Sequence, residues 1–143
     1  KAFVSEQGEL QSVSHFTGNI PHDDLIPLYG SASLLLLVLT GYKDAEGFLP
    51  GKLFEYLATG LPVLGVGPVT GDAATVLMES GVGAMIASED GQGIQRAVRD
   101  AYGRWRRNAG QRIERNRIDL FSRRVITGRL VDILQEQLEK IRG

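Results

Sequence analysis

The 143-residue chain contains no cysteine and only two histidines. Without thiols it has no disulfide framework, no thiolate zinc site and no cysteine nucleophile, and nothing in it points to an oxidising compartment. A cytoplasmic location is the expectation. The two histidines, His15 and His22, stand in different settings, one in an expected strand and one in the first turn of an expected helix, and do not suggest a metal pair. There is no aspartate-x-aspartate motif either. Neither a metal nor another cofactor is expected.

Long apolar runs are also missing. The longest, Leu34 to Leu39, covers six residues, against about 20 for a helix that crosses a bilayer. The amino end meets polar Ser5-Glu6-Gln7-Gly8 straight after Phe3-Val4, which is not the pattern of a signal peptide. It begins as a domain cut from a longer protein would begin. A formal net charge of −1 excludes a global basic field for recruiting nucleic acid or an anionic membrane, so an anion site has to be local.

What is present is one domain's length of chain, enough to bury about 68–70% of its unfolded surface. Short apolar runs alternate with helical stretches. Phe3-Val4 reads as a strand end and Val13 to Phe16 as a strand closed by Thr17-Gly18-Asn19. A helix is expected after Pro21, with Asp23 and Asp24 in its first turn, Pro27 within about a turn of the start and its end near Gly30. Ser33 to Leu39 and Val63 to Val66 read as strands buried on both faces, being continuously apolar. Between them lie the loop Thr40 to Pro50 and a helix from Gly51 to Thr59. Asp72 is expected to cap a helix that runs to Ser80 and stops at Gly81, and Ala84 to Ile86 is expected as an edge strand. Ile94 to Tyr102 and Phe121 to Ile141 carry apolar residues at helical spacing. The alternation predicts an α/β, Rossmann-like, doubly wound parallel sheet with helices on both faces, its sheet core in residues 1–87 and carboxy-terminal helices in 89–143.

Ligands of such sheets bind beyond the carboxyl ends of the strands. Here those ends are Thr17 to Ile20, Thr40 to Lys52 and Gly65 to Thr70, all glycine-bearing. The stretch from Gly47 to Leu64 carries the most information. Gly47-Phe48-Leu49-Pro50-Gly51 leads into Lys52-Leu53-Phe54-Glu55-Tyr56-Leu57-Ala58-Thr59-Gly60, a loop feeding a helix start, where backbone N–H groups attract anions. Glu55 is awkward for a purely structural account, since a carboxylate amid Leu53, Phe54, Tyr56, Leu57 and Ala58 needs solvent, an ion pair or a hydrogen bond.

The order Phe16-Thr17-Gly18-Asn19-Ile20-Pro21-His22-Asp23-Asp24-Leu25, then Tyr29 to Leu37, then Gly51 to Val63, resembles the carboxy-terminal domain of retaining GT-B glycosyltransferases of the glycogen synthase and mannosyltransferase superfamily (group 1 glycosyltransferases). Asp72, Glu79 to Gly83 and the closing Phe121-Ser122 continue the likeness over nearly the whole chain. The resemblance implies half of a GT-B architecture and a transferase of glycan biosynthesis. It implies that this half binds a nucleotide diphosphate sugar as substrate, and that Glu55 holds the ribose hydroxyls. The expected donor-nucleotide site is Glu55, Lys52, Gly51, Gly47, Phe48, Leu49, Gly18 and Asn19, with Lys52 on the diphosphate.

Two departures accompany it. The family commonly has a second glutamate eight residues before the ribose-binding one, but position 47 is glycine and the nearest acid is Glu46. Either the loop is one residue longer or this subgroup lacks that acid; Glu46 is the only candidate for a catalytic role. The family's arginine and lysine pair for the diphosphate, and the amino-terminal acceptor domain, are expected to lie before Lys1. The chain alone is thus expected to be inactive in transfer, while peripheral membrane association of the parent stays compatible with the resemblance.

Each functional residue has a plainer account. Glu55 can pair with Lys52 three positions back, worth about 0.2–0.5 kcal/mol. Gly47, Gly51, Gly65 and Gly67 can be turn residues that need positive φ. Asp72 reads better as a cap than as a ligand contact. Arg96, Arg99, Arg104, Arg106, Arg107, Arg112, Arg115 and Arg117, with Tyr102 and Trp105, have the makings of an RNA surface, but Asp100, Glu114 and Asp119 among them favour a solvated helical face. Beside the transferase half stand two alternatives, a stand-alone nucleotide-binding module and a structural interaction domain that docks through Phe121 to Ile141.

Overall fold

Glycines close two of the central helices in the computed structural model, which describes residues 8–40, 45–107 and 115–142. Helix α1 is Gly8–Val13, α2 is His22–Ser31 and strand β1 is Leu35–Val38. A short 3₁₀ turn, Ala45–Gly47, precedes α3 (Gly51–Thr59), β2 (Val63–Val66), α4 (Asp72–Ser80) and β3 (Gly83–Ile86). Helices α5 (Gly91–Arg106), α6 (Arg115–Asp119) and α7 (Arg123–Arg142) complete the chain. Gly60 and Gly81 follow α3 and α4 at φ +67° and +73°, the left-handed geometry that lets a helix end within one residue. Thr59 finishes α3 from the other side. Its hydroxyl donates to the Tyr56 carbonyl at 2.6 Å and accepts from the Leu61 N–H at 3.1 Å.

The three strands pair in parallel in the order β1-β2-β3. Leu35 aligns with Val63 and Gly83, and Leu37 with Gly65 and Met85. One sheet face is therefore Leu35, Leu37, Val63, Gly65, Gly83 and Met85, and against it pack Leu53, Tyr56 and Leu57 of α3 and Ala73, Ala74, Val76 and Leu77 of α4. Spacings of three and four residues put each of those sets on one helical face. Leu53, Leu57 and Leu77 are almost completely buried, each worth about 1.5–3 kcal/mol in apolar transfer. Ile118 and Phe121 close over the cluster, and Tyr29 of α2 touches its rim. Next to them Arg117 donates to the carbonyls of Glu79 and Met78 at 3.0 and 3.5 Å, a cation on the carboxyl end of α4.

This is the expected α/β fold with a parallel sheet and flanking helices, with four local corrections. Val13 to Phe16 forms no strand; Val13 ends α1, and Ser12 and Ser14 bond back to Glu9 and Gln11. Four residues whose apolar pair, Val13 and Phe16, falls on opposite faces offer no face to bury. β1 is not covered on both sides: Leu36 and Val38 are 54% and 50% exposed. Pro27 sits in the second turn of α2, which continues to Ser31. Asp72 is not a cap but the first residue of α4; buried Gly71 precedes it, and its side chain bonds nothing there. Only a residue without a Cβ fits at 71, where that atom would lie 2.7 Å from the Glu46 carbonyl oxygen. A true side-chain cap occurs instead at Asp90, which accepts from the Gly93 N–H at 2.8 Å. The expectations at Phe3-Val4 and in the segment 108–114 lie outside the described residues.

Gly83 and Gly128 make opposite predictions. A Cβ on Gly83 collides with the Val63 carbonyl of the neighbouring strand, so Gly83→Ala is expected to cost at least about 1–3 kcal/mol in chemical denaturation. Gly128, in exposed α7, has nothing near it, and Gly128→Ala is expected to raise helicity by circular dichroism, worth up to about 1 kcal/mol.

Candidate functional site

Where the three strands end, the chain turns outward at Leu39-Thr40, Gly67 and Ala87 and leaves a cleft of about 400 Å³. The 3₁₀ turn brings Glu46 to one wall, the Gly67 to Thr70 turn forms the floor, and Ser88 and Glu89 form the far side. The close contact between the Glu46 backbone and Gly71 holds that wall against the start of α4. Two acidic residues, Glu46 and Glu89, therefore line this space, and no lysine or arginine lines it among the described residues. Lys43 lies outside them.

The second cluster lies where α2 meets α3. Residues 22 and 29 are two helical turns apart on α2, so His22 and Tyr29 share a face, and Glu55 of α3 meets both. Tyr29 Oη donates to Glu55 Oε2 at 3.4 Å, and His22 Nδ1 stands 4.0 Å from Oε1. The Tyr29 ring meets Tyr56 edge to face, with centroids 5.2 Å apart and planes at 85°, a favoured aromatic arrangement. Tyr56, buried, directs its hydroxyl to the Leu36 carbonyl at 3.5 Å. Burial, then the charge of Glu55 and the hydrogen bond to it, push the Tyr29 phenol above its ordinary value near 10. Burial, then Tyr29 and Glu55, push Tyr56 the same way.

The cluster accounts for Glu55. The Lys52 ion pair does not form; Lys52 is an exposed first-turn residue, and the carboxylate has a phenol on one oxygen while its side chain stays 36% exposed. Such a group can accept a further hydrogen bond without first losing a strong ion pair. Pro50 precedes α3 and no side chain caps its first turn, so the N–H groups of Gly51 and Lys52 are not claimed by one.

The remaining expected residues are dispersed. Glu46 is in the strand-end cleft, whereas Glu55, Lys52, Gly51, Gly18 and Asn19 are not among its walls. Gly18 and Asn19 are exposed in the turn before α2, Gly18 at φ +74°. Phe48 and Leu49 stand 40% exposed between the 3₁₀ turn and α3. Of the four glycines read as turn residues, Gly67 has positive φ, while Gly47, Gly51 and Gly65 do not; they belong to the 3₁₀ turn, the helix start and β2. His15 is exposed, and among the described residues no three acidic or histidine side chains come close enough to hold a metal ion. None of the described helices is long and apolar enough to cross a membrane. From the sequence Tyr29 carries no role at the site, because its partnership with Glu55 needs the packing of α2 on α3.

The sequence profile described as glycosyl transferases group 1 matches residues 2–104. No curated protein and no solved structure matches the chain.

The two tyrosines give a test of this geometry. Both phenols are raised in the fold relative to an unfolded value near 10, so the stability they contribute is whole below pH 10 and is lost as pH rises through the folded values. Glu55→Gln removes the charge but leaves the burial. Absorbance titration of tyrosinate is expected to show the transitions of Tyr29 and Tyr56 moving down toward 10 in that variant, with Tyr29→Phe removing one of them.

Proposed function

The chain belongs to the group 1 glycosyl transferases, and from that premise we propose that it is the donor-binding, carboxy-terminal half of a retaining GT-B enzyme that takes sugar from a nucleotide diphosphate sugar. Sugar transfer is the family's chemistry; the donor, the GT-B architecture and the retaining outcome are our reading. The observation that carries it is Glu55, a half-exposed carboxylate in an otherwise apolar helix, oriented by Tyr29 instead of neutralised by Lys52. In this reading Glu55 accepts from the ribose diol, as acidic residues of doubly wound folds do. Lys52 and the first-turn N–H groups of Gly51 and Lys52 take the diphosphate. Gly47, Phe48 and Leu49 flank it, and Gly18 and Asn19 approach the nucleoside from the turn before α2. Glu46, in the strand-end cleft, is the candidate for the sugar end. The acceptor belongs to a separate amino-terminal domain, the parent works in the cytoplasm in glycan biosynthesis, and a peripheral membrane location fits such a parent. The 143-residue chain by itself binds nucleotide without transferring sugar. No metal takes part.

Calorimetry with uridine, guanosine and adenosine diphosphates tests the reading. Binding is expected in the micromolar to millimolar range, roughly −8 to −4 kcal/mol, and unchanged by chelator. Glu55→Gln removes a charged acceptor and is expected to cost on the order of 1.5–3 kcal/mol of affinity. Against 2′,3′-dideoxynucleotides the two losses should be non-additive. Additive losses, or no loss, remove the ribose assignment, and no binding at all leaves the domain as an interaction module. Affinity that requires manganese or magnesium removes the metal-free donor site.

A further inference from the structure

Resting on the reading of Glu55 as the ribose acceptor, we infer that Tyr29 is the positioning residue for that carboxylate, holding one oxygen so that the other is presented to a nucleoside diol. The contact is one-sided. Tyr29 Oη reaches Oε2 at 3.4 Å, while the neighbour of Oε1 is the His22 ring, 4.0 Å away and 62% exposed. Oε1 is thus the oxygen with no phenol on it, on a side chain that stays 36% exposed, with only a solvated neighbour to displace. Tyr29 is itself held, since its ring stands against Tyr56 edge to face and packs on the rim of the core.

Tyr29 also has a role no other residue of its helix fills. α2 has no buried residue, and Tyr29 is the member of it that packs on the core cluster. A free glutamate samples many rotamers, and fixing them on binding weakens affinity. A phenol that restricts Glu55 beforehand reduces that loss for a diol and does nothing for a ligand without one. The positioning is therefore specific to the ribose, and this separates it from packing.

Wild type, Tyr29→Phe, Tyr56→Phe and Glu55→Gln are compared by calorimetry with uridine, guanosine and adenosine diphosphates and their 2′,3′-dideoxy counterparts, using the full chain. Phenylalanine keeps the ring and its contact with Tyr56, so Tyr29→Phe is expected to fold. It should reduce the preference for the ribonucleotide by roughly three- to tenfold. Tyr56→Phe, which removes the other hydroxyl of the pair, should leave that preference at the wild-type value, and Glu55→Gln should abolish it. If Tyr29→Phe keeps the full preference while Glu55→Gln loses it, Tyr29 is not a positioning residue and the ribose reading stands. An equal loss for both nucleotide forms in Tyr29→Phe also overturns the inference, because that is what a loosened α2 produces. If wild type shows no ribose preference, or Glu55→Gln retains it, the ribose reading itself fails and the positioning role falls with it.

Discussion

The close approach of α3 and α4 to one face of a three-stranded sheet is the constraint on which the rest of the structure depends. It is possible because that face is missing side chains at the right places. A Cβ at Gly65 would lie 2.7 Å from Met85 Sδ and 3.0 Å from Leu77 Cδ1, so α4 packs into the space a larger residue would occupy. Gly83 abuts the Val63 carbonyl in the same layer. Interiors packed at this density transmit small displacements, and the Gly67 to Thr70 turn, which follows β2 directly, inherits its position from the packing.

Both candidate carboxylates are placed by that packing, in different ways. Glu46 is placed through its backbone: the carbonyl and Cα come so near Gly71 that the 3₁₀ turn is held against the start of α4. Glu55 is placed through its helix and then its side chain. Leu53, Tyr56 and Leu57 anchor α3 in the core, which leaves position 55 at the helix flank, where Tyr29 takes one oxygen.

Much of this was legible in the chain. The glycines at 60 and 81 end helices through their backbone freedom, and the apolar runs Ser33 to Leu39 and Val63 to Val66 read as strands of a parallel sheet. The burial of β1 was misjudged for a reason the composition hides: Leu36 and Val38 are as apolar as Leu35 and Leu37, but no described helix covers them. Asp72 was misplaced by one residue, because the demand for a bare backbone at 71 comes from Glu46, 25 positions earlier in the sequence. Glu55 was recognisable as an anomaly within its own helix. Its partners were not, since a phenol 26 residues away leaves no local signal and Lys52 at helical spacing leaves a misleading one.

The misleading pair clarifies why the carboxylate is suited to a ligand. An exposed Lys52 ion pair would be weak, up to about 1 kcal/mol, yet it would add a mobile competitor for both oxygens. A neutral phenol fixes geometry without neutralising charge, and burial, with Glu55 adding to it, raises both neighbouring tyrosines above their ordinary value, so neither supplies a proton at neutral pH. The Glu55 side chain has a phenol on one oxygen and stays 36% exposed. In the proposed reading this arrangement favours a neutral donor with hydroxyls to offer over an anion, and it separates the two tasks of a nucleotide site, with Glu55 for the ribose and the first turn of α3, with Lys52, for the phosphates.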